Sequence, residues 1–403
     1  MGGTGDGARR TVTSDILIVG AGPAGLAVAG SLAARGLQAA VIEKSGDIGA
    51  SWRGHYERLC LHTVKQESAL PGMPFPADYP RYVTRAQMVD YLCAYAARFG
   101  IAPRYGAEAT AILPAADGCW ETRTATGESI PARAVVLATG ANAHPLRPAL
   151  AGREHFAGTI IHSRDYRNAS AWRGRAVLVV GMGNTGAEIA LDLVEHGAAA
   201  TLSVRSPVNI VRRDVLGRPT QLTSIMLSRL PESWGDAIAR LFRDLTVGDL
   251  GRWGLRTSGT SPLRDLRRFG RTPVIDVGTI ARIKAGDIRI RPGIEALTTA
   301  GARFVDGSEQ SFDAIILATG YGAGLQPLFP QTELPLDERG LPTAPIGTGP
   351  LVGLYFVGFD IRQPGGLLRT IGIQAQAVTE AIVARVAEIT PGSASRGSCR
   401  SSA

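Results

Sequence analysis

The chain has 403 residues, 45% hydrophobic and 19% charged, with 50 glycines, a globular composition too long for one ordinary core, and two domains are expected. A net charge of +8 and a pI near 9.6 suit an anionic ligand or a merely solvated basic surface; nucleic acid is disfavoured, because no nucleic-acid fold motif is present and the arginines are dispersed. No stretch reaches the ~20 apolar residues of a membrane span, and Cys60, Cys93, Cys119 and Cys399 form no CxxC pair, which predicts reduced thiols in a cytoplasmic protein and argues against a metal site or a disulfide framework.

Residues 1–13 read as a loose tail. Arg9-Arg10 imitates a twin-arginine export signal, but the apolar run Ile16–Val19 leads straight into a glycine motif, so cleavage there would destroy the fold. Asp15–Val19 suits a buried parallel strand, GAGPAG follows with Gly20, Gly22, Pro23, Ala24 and Gly25, and a second strand ends at Glu43-Lys44. This strand-turn-helix-strand unit is a dinucleotide fingerprint. Gly20 permits the tight turn, Gly22 lets backbone N–H groups reach a pyrophosphate, and Gly25 allows close helix-strand packing. Glu43 is placed to accept hydrogen bonds from a ribose.

The pattern recurs with an offset of 161: GMGNTG supplies Gly181, Gly183, Asn184, Thr185 and Gly186. Its second strand ends in Val204-Arg205-Ser206 in place of an acid. An acid would repel a ribose 2′-phosphate, whereas a guanidinium can grip it. Copy one therefore reads as an FAD site and copy two as an NADPH site. Two further strands, Ala132–Gly140 and Phe312–Tyr321, each close in Ala-Thr-Gly. Between the units, Val211–Arg271 fits neither. Ile238, Leu241, Phe242 and Leu245 stand at helical spacing, which predicts an apolar helix face over the cofactor cleft or at a dimer interface, in preference to a membrane surface. Pro219, Pro231 and the glycines from Gly248 to Gly259 predict several short elements. The Gly-, Ser- and Arg-rich end, 391–403, reads as a second tail.

The spacing Phe156-x-Gly158-x3-His162-x3-Tyr166, just ahead of the second fingerprint, resembles the identifying motif of flavin-containing monooxygenases. The stretches Arg58–Gln66, Met73–Pro76, Arg271–Ile288 and DAIILATGY are similar to the YUCCA-type branch, whose known members convert indole-3-pyruvate to indole-3-acetate with FAD, NADPH and oxygen. High Ala and Arg content hints at a bacterial source. The resemblance implies an α/β fold of two nested Rossmann-like dinucleotide-binding domains, an FAD domain (14–155 and 315–390) with an inserted NADPH domain (156–314) carrying the 211–271 segment. It also implies a homodimer.

Carried over residue by residue, the resemblance adds Lys44, Ser51, Trp52, His62, Thr63, Thr139, Gly140, Asp360 and Leu368 to the FAD site. It adds Thr185, Ser206, Thr319 and Gly320 to the NADPH site. His62 stands where animal-type members have Asn, and is expected to contact the flavin or its oxygen adduct; a hydrogen-bonded core histidine is the competing reading. Gln66 and Lys65 are expected to face substrate. Tyr166 in place of Trp argues against the Baeyer–Villiger branch, and Ile361–Leu368 departs from the YUCCA-type pattern at the expected substrate pocket. The chemistry implied is a C4a-(hydro)peroxyflavin that decarboxylates a 2-oxo acid. N- or S-oxygenation, or an NADPH oxidase releasing hydrogen peroxide, remain the alternatives. A non-catalytic dinucleotide sensor fits two intact fingerprints less well, and Cys60 lacks the partner a disulfide reductase needs.

Overall fold

Runs of four consecutive apolar residues have no polar face to offer water, so they become inner strands of parallel sheets. In the computed structural model, which describes residues 15–389, two such sheets carry the chain. The first runs Ala40–Ile42, Ile16–Val19, Ala134–Leu137, Leu354–Phe356, all parallel. The second runs Ile288–Arg291, Ala199–Ser203, Ala176–Val180, Ala314–Leu317, Thr159–His162, again all parallel. In both, the strand before the fingerprint lies between the strand after the fingerprint helix and the strand that ends in Ala-Thr-Gly. The fold is therefore α/β with two Rossmann-type units. Ile16–Val19 and Ala314–Leu317 are buried at every position, and each such side chain contributes about 1.5–3 kcal/mol on burial.

The expected boundary between 314 and 315 needs correction. It cuts the strand Ala314–Leu317, whose four residues all pair within the second sheet, so the chain leaves that unit only after Leu317. It rejoins the first sheet at Leu354–Phe356. The helix Leu367–Ile389 then packs Ile371, Ala375, Val378 and Ile382 into the same core as Ala24, Ala27 and Val28 of the fingerprint helix Pro23–Ala33. The expected tails, 1–13 and 391–403, lie outside the described residues. Cys60 and Cys93 are free, but Cys119 is disulfide-bonded, against the expectation of reduced thiols throughout.

The linker motif now has a reason at each position. Phe156 is buried beneath the second sheet. A Cβ on Gly158 would stand 2.5 Å from both the Asp313 carbonyl oxygen and the Phe156 ring, so only glycine fits. His162 ends its strand fully buried, with Nδ1 accepting from the Arg164 N–H. The buried Tyr166 hydroxyl donates to Asp192 at 2.6 Å.

The segment after the second unit's Arg205 enters through Ile210–Arg212 and leaves through Val274–Asp276, which pair in parallel. Between them lie helices Thr220–Leu227, Glu232–Val247 and Pro262–Phe269. Pro219 and Pro231 sit immediately before the first two, where a missing N–H costs nothing. Arg243, 5% exposed, donates to Asn209 and to the Ser258 and Thr260 carbonyls, which fixes the long helix to the loop behind it. The apolar face expected on that helix divides: Phe242 lines the cofactor cleft, while Ile238, Leu241 and Leu245, with Trp234, are exposed. Hydrophobic spacing located the helix but could not assign the covered side.

Candidate active site

Two helices begin without side-chain caps, Pro23–Ala33 after Gly22 and Asn184–Glu195 after Gly183, leaving backbone N–H groups free for an anion. Gly22 (φ −81°, ψ −174°) and Gly183 (φ −93°, ψ −174°) share one conformation. A Cβ would stand 2.6 Å from the Ala138 oxygen at Gly20 and 2.7 Å from the Ala318 oxygen at Gly181. At Gly25 and Gly186 it would stand 1.9 and 2.0 Å from the carbonyl oxygen of the first glycine of each motif. At Gly22 and Gly183 it would meet nothing within 4 Å. The first and third glycines are thus required by the protein itself, and the middle one guards open space where a pyrophosphate fits.

The ribose ends differ. Glu43 Oε2 accepts from Ala21 N–H at 2.8 Å and Oε1 from Ser45 N–H and Oγ, so the carboxylate is aimed at the turn and keeps lone pairs for a ribose. Arg205 and Ser206 are exposed at the end of the second strand, and Arg256 donates to the Arg205 carbonyl at 3.0 Å. The Asn184 side chain is committed elsewhere: its amide donates to Pro273 and accepts from Ile275 N–H, leaving only its main chain for a nucleotide. The Thr319 hydroxyl likewise donates to Leu146, and Gly320 (φ +86°) mirrors Gly140 (φ +88°). Thr139 Oγ is buried without a partner among the described residues, which fits an unfilled contact to a flavin nucleotide. Pro23 opens the first helix, Ala24 is packed beneath it, and Thr185 lines the cleft at the second.

At the N-terminal end of the second fingerprint helix lies a cleft of ≈ 1350 Å3. His62 and Thr63 line it on the side of the first unit, Gly183, Asn184, Thr185 and Gly320 on the side of the second, and Ala239, Phe242 and Leu266 from the inserted helices close it. Gln221 hooks that insertion to the first unit, accepting from Val64 N–H and donating to the Gly365 carbonyl. Asp360, Ile361–Gln363 and Gly365–Leu367 complete the wall. Arg213, Arg268, Arg271 and Arg339 also line it. Arg339 is committed to the Phe269 and Gly270 carbonyls, and Arg271 lies over the Phe269 ring.

Several expected contacts change. Gln66 is exposed and does not line the cleft, because it sits on a single 3-10 turn, Lys65–Glu67, that faces outward. Lys65 donates to the carbonyls of Pro76, Ala77 and Tyr79, a loop anchor and not a substrate contact. The Leu368 side chain is in the core, so only its backbone, in the first turn of the last helix, remains for a cofactor. Lys44 and Ser51 are exposed and Trp52 is half-buried, edge-on to His55.

Sequence reasoning missed Glu188. It is 4% exposed, and its Oε1 lies 2.7 Å from His62 Nε2. Glu188, Asp192 and Glu195 follow i, i+4, i+7 along the second fingerprint helix and meet His62, Tyr166 and Arg58. The available signal was two acids, Glu188 and Asp192, inside a helix that otherwise reads apolar. His55, beside the cleft, is held below its usual 6.5 by burial and then by Arg164 and Arg85.

Residues 13–333 match the flavin-binding monooxygenase-like family. Indole-3-pyruvate monooxygenase YUCCA1 of Oryza sativa subsp. japonica is 41% identical over 367 residues, covering 90% of each chain. Its probable Arabidopsis thaliana counterpart is 38% identical, covering 88% of this chain and 86% of its own. These relatives are plant proteins, so the expected bacterial source rests on composition alone. Among solved structures, a flavin-containing monooxygenase from Stenotrophomonas maltophilia superposes with a TM-score of 0.71 at 20% identity, covering 93% of this chain and 99% of its own. An oxidised steroid monooxygenase bound to NADP also gives 0.71, at 18% identity, with 94% and 86% covered. The chain belongs to the flavin-binding monooxygenase-like family and is an FAD- and NADPH-dependent monooxygenase.

Proposed function

We propose that the enzyme oxidatively decarboxylates an aromatic 2-oxo acid, with indole-3-pyruvate as substrate and indole-3-acetate as product. The observation that carries this reading is the 41% identity over 90% of both chains to a rice protein named for that substrate. The cleft supports it: Phe242, Leu227 and Leu266 offer an apolar wall, and Arg268 and Arg271 line it without an ion pair among the described residues, which suits a carboxylate.

FAD and NADPH, when bound, supply hydride transfer and oxygen activation. The chain's own part is binding, orientation and exclusion of water. The uncapped helix ends at Gly22 and Gly183 would hold the two pyrophosphates, Glu43 would take the FAD ribose and Arg205 with Ser206 would take the NADPH 2′-phosphate. Thr63, Thr139, Gly140 and Asp360 would border the flavin, and the inserted helices would roof the reaction space. No side-chain acid or base is required by this division of labour. On the same reading residues 15–155 and the chain after Leu317 form the FAD domain, and the enzyme is a cytoplasmic homodimer; sedimentation and cell fractionation test the last two.

The test is oxygen uptake and product mass with FAD-loaded protein, NADPH and four compounds: indole-3-pyruvate, phenylpyruvate, a tertiary amine and a thioether. Decarboxylated acid supports the proposal. A product heavier by one oxygen from the amine or thioether replaces it with heteroatom oxygenation, and peroxide alone across the panel replaces it with NADPH oxidation. Arg268→Ala and Arg271→Ala should raise KM for the 2-oxo acids and leave oxidation of NADPH in their absence unchanged.

A further inference from the structure

The segment Tyr56–His62 belongs to the first unit, yet it is docked on the second. Arg58 donates to Glu195 at 2.8 Å and reaches Asp192 at 3.4 Å, Glu57 N–H donates to the Arg167 carbonyl, and His62 meets Glu188. Glu188 lies one turn beyond Asn184, inside the helix whose free N-terminus faces the NADPH pyrophosphate. His62 lines the cleft beside Thr63. One buried carboxylate on the second fingerprint helix therefore touches an imidazole that the first unit contributes to the cleft wall.

The contact is incomplete as it stands. Nε2 and Oε1 are 2.7 Å apart, and Nδ1, also buried, has no hydrogen-bond partner among the described residues. Tyr56, 3% exposed, lies beside the same carboxylate; burial first and Glu188 second push its phenol well above the usual value, so it stays a neutral donor. Tyr56 thereby occupies one side of Glu188 and leaves the other for the imidazole.

We propose that Glu188 is the positioning residue for His62: it draws the Nε2–H toward itself, fixes the imidazole in that tautomer and orientation, and so sets the shape of the cleft wall that His62 forms. A carboxylate orienting a histidine through one nitrogen sets what the other can do. Because the carboxylate rides on the NADPH helix, occupancy of the second site and the shape of the chamber at the first are linked. The inference rests on the two cofactor sites and not on the identity of the substrate.

Two measurements test it, neither of which needs a substrate. In the cofactor-free protein, 15N-histidine NMR should find His62 as the Nε2–H tautomer and should find that preference lost in Glu188→Gln, whose amide can donate as well as accept. In FAD-loaded enzyme oxidising NADPH in air, the rate of peroxide release should rise about tenfold in Glu188→Gln, the size of one lost positioning contact, and equally in His62→Ala. The double variant should be no worse than either single one, since residues acting as a unit are not additive. Additive effects, or an unchanged tautomer with unchanged peroxide release, overturn the proposal. Should Glu188→Gln fail to retain FAD, Tyr56→Phe removes one oxygen beside the same carboxylate and should give a smaller rise; wild-type peroxide release there also overturns it. Failure of the 2-oxo acid panel would leave all of these readouts intact.

Discussion

The two nucleotide units are built to one plan and differ at their far ends. Their three glycines match to within about a tenth of an ångström in what each would strike, with the middle one open in both. Beyond that point Glu43 folds back onto Ala21 and Ser45, whereas Arg205 is exposed and its carbonyl accepts from Arg256. The first unit's helix lies against the C-terminal helix in a closed core. The second unit's helix presents Glu188, Asp192 and Glu195 to the opposite unit. The two cradles thus share one backbone device and differ in the side chains beyond it, Glu43 in one and Arg205 in the other.

The comparison can be broken most severely at the cradles. Gly22→Val should give colourless protein that folds, since its side chain enters ligand space and not the core; Gly183→Val should stay yellow but lose NADPH-driven turnover. Absorbance of the purified variants and anaerobic reduction check both, and a flavin-loaded Gly22→Val would refute the assignment of the first site. Next in size, Arg205→Ala should raise KM for NADPH relative to NADH by roughly 10–150-fold, the equivalent of about 1.5–3 kcal/mol of charge-assisted bonding. Equal loss for both coenzymes would remove the 2′-phosphate role.

Acid should act on both units. Burial holds His55 and His162 below 6.5, reinforced at His55 by Arg164 and Arg85 and at His162 by Arg147. The unfolded chain then binds protons that the folded chain refuses, so their contribution is full above about pH 6.5 and falls as pH drops below it. Thermal unfolding between pH 8 and 5 checks this, and a flat or rising Tm on acidification would contradict it. The smallest effect belongs to the exposed stripe: Leu245→Gln, at a side chain 76% exposed, should change stability by no more than about 0.5 kcal/mol. A larger loss in dilute protein would mean that the stripe is covered in solution.

Much of the fold was legible because backbone requirements leave local marks. The glycines, the apolar strands and the repeated Ala-Thr-Gly each answer to contacts a few residues away, and Gly158 could have been read the same way had its neighbour Asp313 been known. The site was legible where it is main chain, at Gly22, Gly183, Gly140 and Gly320. It was illegible where distant segments meet. Nothing near His62 announces Glu188, 126 positions on, and Gln66 looked equivalent to His62 until a short turn faced it outward. The strand Ala314–Leu317 reads the same whichever sheet it joins, so the domain boundary could not be placed from its composition.

The inserted helices begin and end on two strands that lie side by side, with Ile210 opposite Val274 and Arg212 opposite Asp276. A loop whose ends are already clipped together has met its closure cost, and lengthening it then adds only about 0.6 kcal/mol per doubling. The inserted helices can therefore change length at little closure cost, while Gln221 ties them to Val64 and Gly365. Substrate range in such a chain can drift quickly while both nucleotide cradles stay as they are.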